Sequence, residues 1–457
     1  MGRFRLFAGI ALLAICGVLV LSSYYFGYRV QGRFEEVFAK EAKWAHRVQL
    51  QSEVLSYSRG VFSSNATTRI SPAAVNGPAL ILRHHIRHGP FSRGGNRLLS
   101  LAVVETVAEL EHGKSTTPLS TAFLNKAPFR ATTLVALGGS VRSRITSPRE
   151  SWQSGDIAFD WGGLNATVTQ LRGSEKGMEV DLQCPRVEMN VPGRTGDMLI
   201  RDVRASRSLR RNQKGGIING TSSFRCSKFR VHGGKWGEVS AESLTMGSRT
   251  DRSKGLLRSV SELGLEQGRI GNMEIVQGDF RMRMDNIDAK ALRQWRKLLQ
   301  ESPEEISEKR VNGIAKRFLA SSPRMEEAKL RMETEEGEIR LDASAAFDGS
   351  EEIADLKAPQ MLQRLETRIR FSVPVAIGVR MATASLDVFG GLTADQGSDQ
   401  EGEDLKHRAR GWLEQLRGPG YITRDSGRYA TSLKLEQGLL SVNDKPILPL
   451  GGFLQGQ

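Results

Sequence analysis

Cysteine is scarce in this 457-residue sequence, with 3 residues in all, and the familiar reactive motifs are missing. There is no GxSxG, HExxH or CxxC segment and no phosphate-binding P-loop. This excludes the nucleophile, zinc, dithiol and nucleotide sites that those motifs mark. Outside an N-terminal apolar run the only cysteines are Cys184 and Cys226, which an oxidising compartment would allow to pair and which could equally be two buried thiols. The sequence therefore predicts a non-enzymatic protein with no catalytic, cofactor-binding or metal-binding residues.

A long apolar run occurs only once, at residues 6–26, which carry no charge. About 20 apolar residues are enough to span a bilayer as a helix. A cleaved signal peptide needs a shorter core and a small-residue cleavage site, but bulky tyrosines follow Ser22-Ser23. A lipoprotein would use Cys16, but a bulky residue precedes it and the apolar run continues beyond it. We predict an uncleaved single-pass anchor, flanked by basic and aromatic residues at Arg3, Arg5, Tyr24, Tyr25, Tyr28, Arg29 and Arg33.

No second apolar run follows, so the rest of the chain is expected on one side of the membrane. Basic residues flank both ends of the anchor, and we expect the short tail in the cytoplasm and the bulk in the periplasm, at the inner (plasma) membrane. The formal net charge of +14 favours anionic partners. Because an exported protein does not meet chromosomal DNA, the expected partners are the membrane, envelope proteins, lipid or anionic glycan, and not nucleic acid.

Proline is also sparse, with 15 residues against 48 glycines, which is typical of many turns between short strands. Residues 328–347 alternate apolar and charged side chains on both sides of Gly337, which predicts a hairpin with one solvent-exposed face. Residues 365–373 show the same period of two. Similar patterns elsewhere predict an α+β fold that is mainly antiparallel β, with one or more long curved sheets and a few packed helices behind the N-terminal transmembrane helix.

Three helices are predicted among the strands. Residues 288–300 have a helical apolar stripe, and a capping box at Ser302 begins a second helix that runs to Leu319. The third helix spans 403–417 and ends at Gly418-Pro419. The expected organisation is an anchor with a cytoplasmic tail, a β-rich periplasmic part, a helical pair and a second β-rich part with one helix, at 1–30, 31–285, 286–322 and 323–457.

Three of the seven histidines cluster at His84, His85 and His88, just before Gly89-Pro90. On a strand, His84 and His88 share a face but lie about 13 Å apart, which is too far for one metal ion. Adjacent arginines would repel a cation, and no nucleophile motif accompanies the cluster. The pattern predicts a strand end with exposed imidazoles, where alanine at His84 or His85 is mild and replacing Gly89 or Pro90 disturbs folding.

Segments at both ends and in the middle of the chain resemble a known family. Residues 57–70 read YSRGVFSSNATTRI, residues 86–91 read IRHGPF, residues 286–295 read NIDAKALRQW, and residues 420–446 join a Gly-aromatic pair, a strand and an Asn-Asp-Lys-Pro end. In this order they resemble the YdgA-like proteins, bacterial envelope proteins whose domain is of unknown function. The matching positions are Tyr57, Arg59, Gly60, Phe62, Ser63, His88, Gly89, Pro90, Phe91, Gly420, Tyr429, Gly438, Asn443 and Pro446.

That resemblance implies a single-pass inner-membrane anchor with a large periplasmic body, and it supplies no catalytic residues. Asp444 stands where the family has glycine, so the terminal turn is expected to differ or to be made by Asn-Asp. The first functional hypothesis is a non-enzymatic envelope scaffold, binding or assembly protein. The alternative is a lipid or amphiphile carrier in which a curled antiparallel sheet presents an apolar groove. A third hypothesis is a hydrolase that acts on cell-wall material.

Overall fold

The computed structural model shows mostly antiparallel β-sheet with a few helices, which confirms the mainly antiparallel β class. It describes residues 22–25, 27–28, 31–32, 50–72, 79–89, 100–111, 127–154, 157–172, 176–191, 196–211, 217–232, 237–298, 307–351, 358–389 and 399–449. No helix among these residues is long and apolar enough to cross a membrane. Most of the predicted span at 6–26 lies outside the described residues.

The chain divides into two compact units, Met1–Gly215 with Phe224–Gly234 and Gly216–Ser223 with Lys235–Gln457. The boundary passes through β12 (Ile217–His232), whose two parts belong to different units. The predicted helical pair at 286–322 lies inside the second unit.

The first unit is an antiparallel meander. Its described strands are β1 (Leu50–Arg59), β2 (Ser63–Pro72), β3 (Leu80–His88), β4 (Ala102–Leu110), β5 (Arg130–Val135), β6 (Val141–Ser147), β7 (Glu150–Ser154), β8 (Ile157–Trp161), β9 (Leu164–Leu171), β10 (Lys176–Asn190) and β11 (Asp197–Arg211). Pairing follows the chain from β1 to β6 and continues through β9, β10 and β11. The β7–β8 hairpin pairs with the second half of β10. Residues 22–25, 27–28 and 31–32 of this unit are helical, and we call them the N-terminal helical segment.

The second unit is also an antiparallel meander, with helices at its connections. Its described strands are β13 (Glu238–Ser253), β14 (Leu256–Leu265), β15 (Gln267–Ile270), β16 (Met273–Asp288), β17 (Arg324–Thr334), β18 (Gly337–Phe347), β19 (Leu365–Pro374), β20 (Thr423–Asp425), β21 (Arg428–Glu436), β22 (Leu439–Val442) and β23 (Lys445–Pro449). Its described helices are α1 (Ala289–Leu298), α2 (Glu308–Leu319), α3 (Ala358–Gln363), α4 (Val375–Phe389) and α5 (Asp399–Arg417). The predicted hairpin is confirmed, since β17 pairs with β18 and Leu330 lies opposite Leu341.

The helices correct the prediction in one place. α1 begins beside Asp288, whose Oδ1 accepts the backbone N–H groups of Lys290 (2.8 Å) and Ala291 (2.6 Å), as a capping side chain does. The expected start of α2 at Ser302 lies outside the described residues, and its described part begins at Glu308. The prediction of one helix in 323–457 is wrong, because α3 and α4 also form there.

The main core of the second unit lies where α4 and α5 pack on the sheet. Its buried residues are Ile339, Val373, Ile377, Val379, Ala382, Ala409, Leu413 and Tyr429. α4 continues an apolar, valine-rich run directly from β19, and such a run has the composition of a strand. It forms a helix because its apolar side packs against α5 and the sheet, a contact that local composition does not reveal.

The two described cysteines are free thiols, and both are buried. Cys184 on β10 lies opposite Val203 of β11, and Cys226 on β12 donates its thiol to the Arg201 carbonyl of β11 at 3.4 Å. β11 therefore lies between them, and two strand spacings of about 9–10 Å exceed the roughly 7 Å Cα separation that a disulfide permits. Of the two alternatives, a disulfide or two buried thiols, the structure has the second, and burial raises the pKa of the Cys184 thiol.

Candidate functional site

Three of the positions that match the family, Arg59, His88 and Gly89, contact the N-terminal helical segment. Ser23, only 4% exposed, donates its hydroxyl hydrogen bond to the Gly89 carbonyl at the end of β3, with an O···O distance of 2.8 Å. One turn further on, Gly27 packs against the His88 ring so closely that an added Cβ would lie 2.6 Å from Cε1. We call Ser23, Gly27, Arg59, His88 and Gly89 the helix-docking site, because these residues hold the helix against the sheet.

Arg59, at the end of β1, supplies the charged part of this site. Its guanidinium carbon lies 5.0 Å from the ring centre of Tyr24 and 5.8 Å from that of Tyr28, within cation–π range. Its Nη2 also donates to the Tyr24 hydroxyl at 3.2 Å. Next to it, the Gly60 N–H donates to the Ser63 carbonyl at 2.8 Å and closes the β1–β2 turn. Gly60 therefore closes the β1–β2 turn, and Arg59 connects that turn to the helical segment.

His88 has a defined tautomer. Its Nδ1 lies 3.2 Å from the Val61 carbonyl oxygen, which can only accept, so Nδ1 carries the proton. Nε2 then accepts from the Ser64 hydroxyl at 2.9 Å. Burial lowers the pKa of His88, and the charge of Arg59 lowers it further, against the opposing effect of the Val61 hydrogen bond. The His88 imidazole is therefore neutral when the helix is docked on it.

His84 lies on the same face of β3 and is 8% exposed. Its two ring nitrogens hydrogen-bond to the hydroxyls of Thr68 (3.0 Å) and Thr106 (2.9 Å) on the neighbouring strands. Burial lowers its pKa from 6.5 to about 4. The predicted shared face is confirmed, but the predicted exposure of the imidazoles is wrong for His84 and His88 and right only for His85. Because the mild effect expected of His84→Ala depends on an exposed ring, a larger loss of stability is now expected at that position.

This geometry gives neither a metal centre nor a reactive pair. Within the parts of the chain that the structure describes, no group of three or more His, Cys, Asp or Glu side chains could hold a metal ion. The Ser64 to His88 contact has the distance of a nucleophile and its base. Ser64, however, is 1% exposed, so no substrate reaches its hydroxyl. The absence of enzymatic activity stays a prediction.

The remaining N-terminal motif positions have structural places or lie outside the described residues. Tyr57 on β1 lies opposite Ala66, and Ser63 begins β2 opposite Arg87. The Phe62 side chain is 57% exposed, although its carbonyl accepts the His88 N–H at 2.8 Å. Pro90 and Phe91 lie outside the described residues.

The C-terminal motif positions join α5 to the last hairpins. Asn443 donates through Nδ2 to the Gly420 carbonyl beyond α5 (2.8 Å), and its Oδ1 accepts the Ser432 N–H of β21 (2.8 Å). Asn443 and Asp444 both have positive φ, at 50° and 59°, as in a type I′ turn, so Asn-Asp does make the terminal turn. The other positions are Gly420 and Gly438, with φ of 87° and 77°, Tyr429, which is buried in the core, and Pro446, opposite Ser441.

Beside these residues, α4, α5 and the sheet enclose an apolar cleft of about 170 Å³. It is lined by Phe371, Met381, Trp412, Leu413, Ile422 and Tyr429. Met381 and Trp412 are 48% and 43% exposed, so the cleft opens to solvent between the two helices.

The sequence did not single out Ser23 or Gly27, and it placed Ser64 in the family motif without a contact. One signal for the first two was present, since small residues four apart on a helix mark a face that another backbone can approach closely. Within an apolar run, however, Ser23 is also typical of a signal-peptide cleavage position, and this obscures its role in packing. For Ser64, the alternation along residues 62–70 predicts a strand position but does not indicate the hydrogen bond to His88.

No curated protein and no solved structure matches this chain. A family model described as bacterial protein of unknown function (DUF945) matches residues 5–449. The match spans the helix-docking site, the apolar cleft and the C-terminal motif. The chain therefore belongs to this bacterial family of unknown function.

Proposed function

We propose that the protein is a membrane-anchored, non-enzymatic scaffold or assembly protein of the bacterial envelope, with its bulk in the periplasm. The observation that carries this proposal is the helix-docking site. Ser23 lies near the end of the uncharged run 6–26 and Gly27 directly follows that run, and they contact Gly89 and His88. A flexible tether would leave the body free to tumble, whereas this contact fixes the sheet to the end of the anchor. A fixed orientation suits a body that presents one surface to other envelope components.

Two further observations support this proposal. The motif positions resemble those of the YdgA-like envelope proteins, and the described ones hold turns, a helix and hairpins in place. The reactive-looking pair, Ser64 and His88, is buried under the docked helix.

The first prediction concerns two glycines of the same helical segment. Gly27→Leu should separate the helix from the sheet, because its Cβ would overlap the His88 ring. Gly32→Leu is the matched control, since nothing lies within 4 Å of an added Cβ there. In cross-linked pull-downs of the full-length protein from membranes, wild type and Gly32→Leu should recover the same proteins, and Gly27→Leu several-fold less.

All three proteins should stay in the membrane after carbonate extraction. Release of the wild-type protein by carbonate would refute the anchor. A wild-type preparation with no reproducible partner would refute the scaffold role.

The carrier alternative is favoured by the apolar cleft. Its lining is almost entirely apolar, and its mouth carries an exposed tryptophan and methionine. At about 170 Å³ it is smaller than the roughly 300–1,000 Å³ of sites that enclose a drug-sized ligand. The ligand that fits such a cleft is part of a single acyl chain with the remainder outside.

The second prediction tests that ligand. A photoactivatable fatty acid, added to membranes containing the full-length protein, should cross-link to peptides around Met381 and Trp412. Trp412→Ala should lower this labelling several-fold. Trp295→Ala is the matched control, because Trp295 is also 43% exposed but lies on α1, away from the cleft. Equal labelling of the two variants, or labelling confined to the anchor, would count against the carrier.

A further inference from the structure

We propose that the β1–β2 turn, residues 60–62, is a second membrane contact that lies on the lipid surface beside the anchor. This inference rests on the proposed function, since it requires residues 6–26 to be in the bilayer. It adds to the anchor a second lipid-contacting part, in the sheet, which no apolar run in the sequence indicates.

The first observation is the exposure of the turn. Val61 and Phe62 are 40% and 57% exposed, although their backbones are held in place. The Val61 carbonyl accepts from His88 Nδ1, and the Phe62 carbonyl accepts the His88 N–H. A rigid turn that presents a large aromatic and a valine leaves apolar surface in water unless something covers it.

The second observation is position. His88 holds the turn on one side and packs against Gly27 on the other. Arg59, the residue before the turn, contacts the rings of Tyr24 and Tyr28. These tyrosines are 50% and 66% exposed, and they lie in and just beyond the end of the apolar run, where aromatic side chains meet lipid head groups. The turn therefore lies beside the helix, one side chain away from it. With residues 6–26 in the bilayer, the turn would lie at the same depth as the tyrosines.

The third observation is charge. Residues 1–34 and residues 54–104 contain no aspartate or glutamate. Both stretches carry arginines, and Arg59 stands between the turn and the tyrosines. Lipid surfaces that contain acidic head groups attract such basic segments. Arg87, opposite Ser63 on β3, is paired with Glu105, whereas Arg59 stands beside a turn that itself has no carboxylate. A basic residue next to an apolar turn suits an anionic lipid surface better than a protein partner with exposed positive charge.

The third prediction uses a fluorescent label at the turn. Phe62→Cys, in full-length protein carrying Cys16→Ser, is labelled with NBD and reconstituted in vesicles of phosphatidylglycerol and phosphatidylcholine with brominated acyl chains. The label should be quenched several-fold more than the same label at Leu137→Cys. Leu137 is the matched control, because it is 49% exposed and lies in the β5–β6 turn of the same unit. Equal thermal unfolding temperatures should show that both labelled proteins are folded.

Carbonate extraction of the same vesicles separates the two possible failures. A protein that stays in the vesicles with equal quenching at positions 62 and 137 overturns the membrane contact of the turn alone. A protein that carbonate releases overturns the anchor and, with it, this inference.

Discussion

Gly89→Ala should abolish stable folding of the first unit or cost it about 3 kcal/mol or more. An added Cβ would lie 1.8 Å from the Ser100 carbonyl oxygen, and Ser100 is fully buried. The backbone cannot shift easily, because the Gly89 N–H donates to Leu101 at 2.7 Å and its carbonyl accepts from Ser23. Relieving the overlap would break one or both hydrogen bonds. Urea unfolding followed by circular dichroism measures the loss.

Gly138→Ala is the control for this prediction. Gly138 lies in the β5–β6 turn of the same unit, and nothing lies within 4 Å of an added Cβ there. Its substitution should change the unfolding free energy by less than about 0.5 kcal/mol, as at most surface positions. If the two alanine variants unfolded at the same urea concentration, the close approach of Gly89 to Ser100 would not be a constraint on the fold.

The features of the helix-docking site that depend on neighbouring residues could be predicted from the sequence. Alternation along residues 79–88 placed His84 and His88 on one face, and Gly89 followed as a turn signal. The hairpin at 328–347 was equally readable, because both strands and the turn lie within 20 residues. Each of these features depends on neighbours in the chain, and period-two patterning reports such neighbours directly.

The contacts that make the docking site could not be read in this way. Ser23 and Gly89 are 66 positions apart, and Arg59 is 35 positions from Tyr24. Alternation shows which face of β3 is apolar but not whether another element covers that face. His84 therefore had the appearance of an exposed strand residue, although hydroxyls from two neighbouring strands enclose it. α4 was missed for the same reason, since its packing partner α5 determines its conformation.

The motif positions at the two ends of the chain have the same kind of role. At the N-terminal end, His88 and Gly89 hold a helix against β3 by close backbone approach and a buried hydrogen bond. At the C-terminal end, Asn443 ties the residues after α5 to β21. Both sets hold a helix in position against a sheet. Because these motif residues have structural roles, they do not form a group of catalytic side chains.

Lowering the pH from 7 to 4 should destabilise the first unit through His84. Its pKa is lowered by burial from 6.5 to about 4 in the folded protein, so the folded state binds fewer protons than the unfolded state across this range. The destabilisation from His84 is therefore absent above about pH 6.5, grows as the pH decreases through that window, and reaches its full size below about pH 4. For this shift the loss between pH 7 and 4 is about 2–3 kcal/mol.

His84→Gln removes the titration while keeping an amide that can hydrogen-bond to a threonine hydroxyl. It should lower stability at pH 7 by about 1–2 kcal/mol, because one buried hydroxyl loses its partner. It should then lose about 2–3 kcal/mol less than wild type between pH 7 and 4. His85→Gln is the control for the substitution itself, since His85 is exposed on the same strand and its replacement should change the unfolding free energy at pH 7 by less than about 0.5 kcal/mol. Urea unfolding at each pH measures the difference. Parallel curves for wild type and His84→Gln would mean that His84 is not the group that senses acid, and they would leave His88, whose pKa burial also lowers, as the remaining buried imidazole on that face.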